Sequence, residues 1–210
     1  MAERFVLHVC CYFLKETKEV VGQLGADQVE IKTFPPYCGT PVLENKDLPV
    51  TSGKDESAVH LVLGGACLRN IEQHTIPSQW HLCRRQHCFE MILNNETVAF
   101  YLRKGAFLLT PGWTMNWRQR IEKEWKFDRG TARDFFRESC SHLLLLDTGL
   151  YKNVDQRLME MSDFLDLRSE VVPVGLDYFR LYVESLLKEY SPEKVLERNE
   201  ETSAERDQSI

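Results

Sequence analysis

Short apolar runs separated by helix-like segments dominate the pattern of this 210-residue chain. The runs at residues 5–13, 59–63 and 142–146 are almost continuously apolar, which is typical of strands covered on both faces of a sheet. The segments at residues 154–165 and 176–190 instead place apolar residues at helical spacing. Strands that alternate with helices predict an α/β fold, here a three-layer sandwich around a mainly parallel sheet.

Weaker patterns predict the remaining elements. They are a helix at 15–24, strands at 28–34, 97–102 and 106–109, an amphipathic helix at 115–125, a helix capped by Thr131, and an edge strand at 171–174. Residues 37–57 are rich in Gly and Pro and predict a long connection. We expect one α/β domain over residues 1–190 and a flexible tail over residues 191–210, which holds six acidic and three basic residues.

Charge and apolar content argue against several classes of partner. The formal net charge is −6, so the chain has no basic excess suited to nucleic acid or to an anionic membrane. No apolar run reaches the roughly 20 residues of a membrane helix. The apolar run near the N-terminus lacks the basic leader and cleavage site of a signal peptide. We therefore expect a cytoplasmic protein whose seven cysteines are reduced.

Four predicted strands end in loops that suit ligand binding. In parallel sheets, ligands bind beyond the carboxyl ends of the strands, and loops at those ends gather on one edge. The loops are Cys10-Cys11, Gly64-Gly65-Ala66-Cys67, Thr110-Pro111-Gly112-Trp113 and Asp147-Thr148-Gly149. The predicted lining of a ligand cleft is Gly64, Gly65, Arg85, Thr110, Gly112, Trp113, Asp147 and Thr148. The chain has no glycine-rich motif for a nucleotide.

Clustered cysteines and histidines at residues 58–93 are the strongest chemical signal in the chain. Thiolates suit zinc or an iron–sulfur cluster, and imidazole suits zinc. The sequence predicts Cys67 and Cys88 as metal ligands. The candidates that complete the shell are Cys83, His87, Cys10 and Cys11.

Other functions fit the same residues. Cys88 at the start of a helix, after Arg84 and Arg85, has the setting of a nucleophilic thiolate, which predicts a cysteine-dependent methyl or thiol transferase. A third hypothesis is a regulatory module without catalysis, in which the final helix at 176–190 pairs with a second copy. Packing of that helix on the sheet is the plainer expectation.

The motifs above resemble an uncharacterised family of cytosolic prokaryotic proteins. The resemblance rests on Gly-Gly-x-Cys after a strand, Arg85-x-His87-Cys88-Phe89 before an apolar helix, Thr110-Pro111-Gly112-Trp113 and Asp147-Thr148-Gly149. Members of that family are often encoded beside corrinoid-dependent methylamine methyltransferases. The resemblance implies a metal site that includes Cys67 and Cys88. It also implies an accessory or sensory role in one-carbon metabolism, with a corrinoid or methyltransferase protein as partner.

Overall fold

The computed structural model describes residues 4–38, 58–65, 68 and 79–191. The strands are β1 Phe5–Cys10, β2 Val29–Phe34, β3 Val59–Gly64, β4 Trp80–Arg84, β5 Ala106–Leu109, β6 His142–Asp147 and β7 Ser169–Pro173. The α-helices are α1 Leu14–Gln23, α2 Asn95–Arg103, α3 Pro111–Met115, α4 Arg129–Ser139, α5 Val154–Leu165 and α6 Asp177–Glu189. Two 3-10 helices, Cys11–Phe13 and Cys88–Met91, and a π-helix, Gln119–Glu124, complete the described elements.

The strands form two sheets in which every pairing is parallel. The first sheet has the order β2-β1-β3-β4 and the second has the order β5-β6-β7. Helices flank the sheets, which confirms the predicted α/β class and the predicted parallel pairing. The sequence pattern did not reveal that the strands divide between two sheets.

The three most apolar runs become the central strands of these sheets. Every residue of β1 is buried, and residues 143–146 of β6 are at most 1% exposed. Strands that helices cover on both faces are apolar at most positions, so these runs show no alternation. The buried His8 of β1 and His60 of β3 are exceptions, and their rings share a hydrogen bond at 3.0 Å. β7 pairs with β6 alone among the described strands, which confirms the predicted edge strand containing Pro173.

Two local predictions were wrong, and a third was right about the helix but not about its type. Residues 97–102 lie in helix α2 and not in a strand, because the Asn94 side chain caps the helix by accepting a hydrogen bond from the Thr97 amide at 2.9 Å. The predicted helix at 115–125 is present, since residues 117–124 are helical, but the last six of these form the π-helix rather than an α-helix. Asp128, and not Thr131, caps α4, with its carboxylate accepting the Thr131 amide at 2.8 Å.

Helix α6 follows the second sheet in sequence but packs on the first. The Tyr182 hydroxyl donates a hydrogen bond to the Cys83 carbonyl of β4 at 3.2 Å, and the Phe179 ring lies 6.2 Å from the Phe13 ring. Four residues of α6 are buried, namely Phe179, Tyr182, Val183 and Leu186. This agrees with packing on a sheet, the plainer of the two expectations for this helix.

The described helices include none that is long and apolar enough to cross a membrane. The predicted tail at residues 191–210 lies outside the described residues except for Ser191.

Candidate functional site

The carboxyl ends of the two sheets face each other, and the segments that follow three strands meet there. Gly112, in the first turn of α3 after β5, lies against the Tyr12 backbone after β1, so closely that an added Cβ would lie 2.9 Å from the Tyr12 carbonyl carbon. Thr148, after β6, donates a hydrogen bond to Glu16 at the start of α1 at 3.1 Å. The predicted gathering of strand-end segments therefore occurs for β1, β5 and β6.

A pair of neighbouring thiols lies at the end of β1. Cys10 is buried and Cys11 is exposed. A hydrogen bond from the Cys10 thiol, together with the Arg120 guanidinium, outweighs the effect of partial burial and lowers the pKa of Cys11 to about 7. The same hydrogen bond, together with burial, raises the pKa of Cys10. One thiol of the pair is therefore ready to ionise near neutral pH, and the other keeps its proton.

Arg120 is a buried cation that joins the π-helix to the end of β2. It is 1% exposed and forms an ion pair with Glu124, four residues later. Its guanidinium also donates to the carbonyls of Pro36, at 3.4 Å, and Cys38. The Arg120 Nε atom is buried without a hydrogen-bond partner. A buried guanidinium beside Cys11 stabilises the thiolate, and π-helical turns often occur at functional sites.

A buried carboxyl group, Glu16, lies near the same strand ends. Its two oxygens accept hydrogen bonds from Thr148, at 3.1 Å, and from the Tyr151 hydroxyl, at 3.3 Å. Burial raises the pKa of Glu16. Burial, the Glu16 carboxylate and the Cys11 thiolate all raise the pKa of Tyr151, so this phenol keeps its proton at neutral pH. Lys15 lies 4.4 Å from the centre of the Tyr151 ring.

The raised pKa of Glu16 predicts a specific pH dependence of stability. The folded state holds this proton to a higher pH than the unfolded state does, so the contribution of Glu16 to stability falls as pH rises from about 4.5 through the folded pKa. In Glu16→Gln this dependence is absent. Urea unfolding from pH 4 to pH 8 is expected to show the variant gaining stability relative to the parent as pH rises.

The control for this experiment is Glu19→Gln, which removes an exposed carboxylate from the same helix. It reports the effect of losing one surface charge from α1. A difference between Glu16→Gln and the parent that stayed constant with pH would contradict the prediction.

The Gly64-Gly65 turn meets the start of the second 3-10 helix. A Cβ on Gly65 would lie 2.7 Å from the His87 carbonyl carbon and closer still to the Cys88 amide nitrogen. The Glu90 carboxylate accepts the amides of Gln86 and His87, each at 3.2 Å, and so fixes the helix start. Cys88 is the first residue of the 3-10 helix, as the sequence predicted for a helix start, and is half-buried. Cys67 lies outside the described residues.

Cys83 lies in β4, a strand that the sequence pattern did not reveal. It is buried, and burial raises its pKa to about 12. The register pairs Leu63 with both Cys83 and Val9, the residue before Cys10. Because successive side chains of a strand point to opposite faces, Cys83 and Cys10 lie on opposite faces of the first sheet. They cannot bind the same metal ion.

The other predicted cleft residues have structural contacts. Thr110 caps α3 by accepting the Trp113 amide at 3.3 Å, and the Trp113 ring is buried 5.9 Å from the Phe107 ring. Asp147 accepts the Gly149 amide at 2.9 Å. The Arg85 guanidinium lies over the Tyr182 ring, 4.5 Å from its centre.

The donor atoms within the described residues do not form a metal shell. No group of three or more His, Cys, Asp or Glu side chains comes close enough there to hold a metal ion. The described part of the chain therefore does not assemble a site for zinc or an iron–sulfur cluster by itself. The expected zinc or iron–sulfur cluster stays a prediction that depends on Cys67.

Sequence reasoning missed four residues of the site. Arg120 and Tyr151 are far from Cys11 in sequence. Glu16 is close to it but occupies an ordinary position within α1. Cys38 falls in the long connection that follows Pro35-Pro36. One available signal was the position of Arg120, three residues after Trp117 and beside Ile121 on the apolar face predicted for this segment, since an arginine on an apolar face needs a partner.

A family model described as "Protein of unknown function (DUF1638)" matches residues 50–182, more than half of the chain. This confirms the resemblance found in the motifs as far as a family of unknown function. The expected link to methyltransferases stays a prediction. The comparisons with curated proteins and with solved structures gave no match.

Proposed function

This chain belongs to the DUF1638 family, and we propose that it carries out thiol-dependent group transfer with Cys11 as the nucleophile. The observation that supports this function is the state of the Cys11 thiol, which is exposed and has a pKa of about 7. About half of it is thiolate at pH 7, compared with a few per cent of an ordinary cysteine. Sequence reasoning favoured Cys88 as the nucleophile, and the structure favours Cys11.

The surroundings of Cys11 fit a displacement reaction. Its thiolate would attack an electrophilic carbon or sulfur atom, forming a new S–C or S–S bond while the leaving group departs with the bonding electron pair. The Cys10 thiol and the Arg120 guanidinium stabilise the thiolate before the attack. Tyr151 keeps its proton beside the site. The reaction class is that of a methyl or thiol transferase.

Alkylation kinetics test this proposal. Iodoacetamide is expected to modify one thiol rapidly, with the rate half-maximal near pH 7 and falling about tenfold for each pH unit below that. Peptide mapping is expected to locate the label on Cys11. In Cys11→Ser the fast phase should disappear, while Cys140→Ser, which removes a half-buried thiol with a raised pKa, should retain it. A fast phase that survived in Cys11→Ser would refute the proposal.

Metal binding is a second candidate function, and the contact of Gly65 with the backbone at His87 and Cys88 favours it. We propose that Cys67 and Cys88 bind zinc or an iron–sulfur cluster. Cys67 follows Gly65 by two residues, and two residues of extended chain span about 7 Å at most, so a shared site is within covalent reach. His87, Cys83, Cys10 or Cys11 would complete the shell. Cys83 and Cys10 are alternatives, because they lie on opposite sheet faces.

Elemental analysis and absorption spectroscopy of anaerobically prepared protein test the metal proposal. We expect about one zinc per chain, or an iron chromophore, and its loss in both Cys67→Ser and Cys88→Ser. Cys140→Ser is the matched control and should keep the metal. A metal-free, well-folded parent protein would contradict the proposal.

The resemblance extends the metal proposal to a biological role. It suggests an accessory or sensory protein of corrinoid-dependent one-carbon metabolism, with a corrinoid or methyltransferase protein as partner. Co-purification of the metal-loaded protein with a corrinoid protein would support that role. A lack of binding at micromolar concentrations of both would count against it.

A further inference from the structure

We infer that Arg120 binds a small-molecule oxyanion, a carboxylate or a phosphate group, at the place where the π-helix meets the segment that follows β2. The ligand takes guanidinium donors that the protein leaves unused. This inference goes beyond the proposed function, and it depends neither on the ionisation of Cys11 nor on a bound metal.

The charge of Arg120 is only partly compensated within the protein. Arg120 is the one arginine or lysine in the described part of the chain that is buried, and its side chain is 2% exposed. The side chain of its ion-pair partner, Glu124, is 34% exposed. A carboxylate that is partly hydrated compensates a buried cation less than a carboxylate held inside the protein does. A second anionic group therefore has a favourable place beside this guanidinium.

The hydrogen bonds of the guanidinium leave one edge of it incompletely used. A guanidinium has five N–H donors. Nη1 donates to the Pro36 carbonyl at 3.4 Å and to the Glu124 carboxylate, and Nη2 donates to the Cys38 carbonyl. Nε is buried and has no hydrogen-bond partner. Nε and Nη2 lie on the same edge of the planar group, and that edge matches two oxygens of a carboxylate or phosphate.

Unpaired donors are concentrated in this part of the molecule. Four buried side-chain polar atoms in the described part of the chain lack a hydrogen-bond partner, and three of them are nitrogens of Trp117, Arg120 and Trp125. The Arg120 guanidinium lies 5.9 Å from the centre of the Trp125 ring. Buried donors without a partner cost stability, so native proteins rarely keep them without a reason. An acceptor ligand is such a reason, and π-helical turns often occur at functional sites.

The position of Arg120 in the fold also suits a ligand. The π-helix comes after β5 and α3 in the chain, and the carbonyls of Pro36 and Cys38 follow β2. Ligands of parallel sheets bind beyond the carboxyl ends of the strands. Since the Glu124 side chain is a third exposed, the guanidinium lies just below the surface. An outward movement of Glu124 gives the oxyanion access, and the charge of Glu124 competes with it.

An NMR titration of protein labelled with a nitrogen isotope at its arginines tests the inference. Sodium phosphate and sodium acetate are added separately, each against sodium chloride at equal ionic strength. We expect the Nε–H signal of Arg120 to move downfield with a dissociation constant on the order of 1 mM, and the tighter of the two anions identifies the ligand class. The half-exposed Arg118 is the control, and its signal should not follow the same curve. An Arg120 signal that responds to neither oxyanion would overturn the inference.

Two substitutions are expected to change the affinity in opposite directions, measured from the shift of the thermal unfolding midpoint by the oxyanion. Glu124→Gln removes the competing charge and should tighten binding about fivefold. Arg120→Lys keeps a positive charge but loses Nε and the planar fork, and should weaken binding about tenfold or more. Glu122→Gln, which removes the partner of Arg118, is the matched control and should bind like the parent.

The outcomes also separate this inference from the proposed function. Binding that is no tighter in Glu124→Gln than in the parent would show that Arg120 is not the site. The titration of the parent and the Glu124→Gln result do not need Arg120→Lys, so the test stands if that variant fails to fold. Fast alkylation of Cys11 in a protein that binds neither oxyanion would overturn this inference alone. Slow alkylation in a protein that binds one would overturn only the proposed nucleophile.

Discussion

Replacing Gly112 with alanine is expected to destabilise the protein by about 3 kcal/mol, because this glycine lies where the two sheets meet. A Cβ at this position would lie 2.9 Å from both the Cα and the carbonyl carbon of Tyr12, and closer still to the carbonyl oxygen. These atoms belong to the backbone that carries Cys11, so they can move only if the site moves. Urea unfolding measures the loss, and the fast alkylation of Cys11 should slow in the same variant.

Gly22→Ala is the matched control for Gly112→Ala. Gly22 lies in α1 with no heavy atom within 4 Å of its added Cβ, so alanine there is expected to stabilise the protein by about 0.5–1 kcal/mol. If the free energy of unfolding falls in Gly112→Ala and rises in Gly22→Ala, the close approach of Gly112 to the Tyr12 backbone accounts for the loss of stability. A loss below about 1 kcal/mol for Gly112→Ala would show that the sheets adjust without strain.

Replacing Arg120 with methionine is expected to cost about 3 kcal/mol and to make Cys11 less reactive. Methionine fills much of the same space but leaves the carbonyls of Pro36 and Cys38 without this donor. Loss of the guanidinium also raises the pKa of Cys11. The pH at which alkylation is half-maximal should therefore move upward. Urea unfolding measures the first effect, and the pH profile of alkylation measures the second.

Arg118→Met is the control. Like Arg120, Arg118 forms an ion pair with a glutamate four residues later, Glu122, at 3.3 Å. Unlike Arg120, its side chain is half exposed. Exposed pairs of this kind contribute about 0.3–0.5 kcal/mol. We expect little change in stability and none in the pH profile. If Arg120→Met lost stability with an unchanged alkylation profile, Arg120 would be a structural residue without influence on the thiol.

Much of the architecture could be predicted from the sequence, because a strand buried on both sheet faces is a continuous run of apolar residues. β1, β3 and β6 are runs of apolar residues, and α5 and α6 show helical spacing, so these elements were predicted within a few residues. β4 was missed because it is short and carries His81 and Arg84 among its five residues. The division into two sheets was missed because pairing partners are set by tertiary packing, which the pattern of one strand does not encode.

The site was only partly predictable for a related reason. Cys10 and Cys11 were identified because they end a strand, which is a local property. The residues that tune them are not local: Arg120 is 109 positions from Cys11 and reaches it only through the contact between sheets. The pKa of Cys11 therefore depends on the three-dimensional arrangement. The sequence pattern instead favoured the cysteines at residues 58–93 as the reactive or metal-binding ones.

The crossing of α6 onto the first sheet has a consequence for the order of folding. The Phe13 ring contacts the Phe179 ring of α6, although the chain between them builds the whole second sheet. Contacts of such large sequence separation form late, because a long loop must close before they are made. During synthesis from the N-terminus, the strands of residues 5–84 emerge long before the helix that covers them. The part of the protein that is made first is thus the last to be completed.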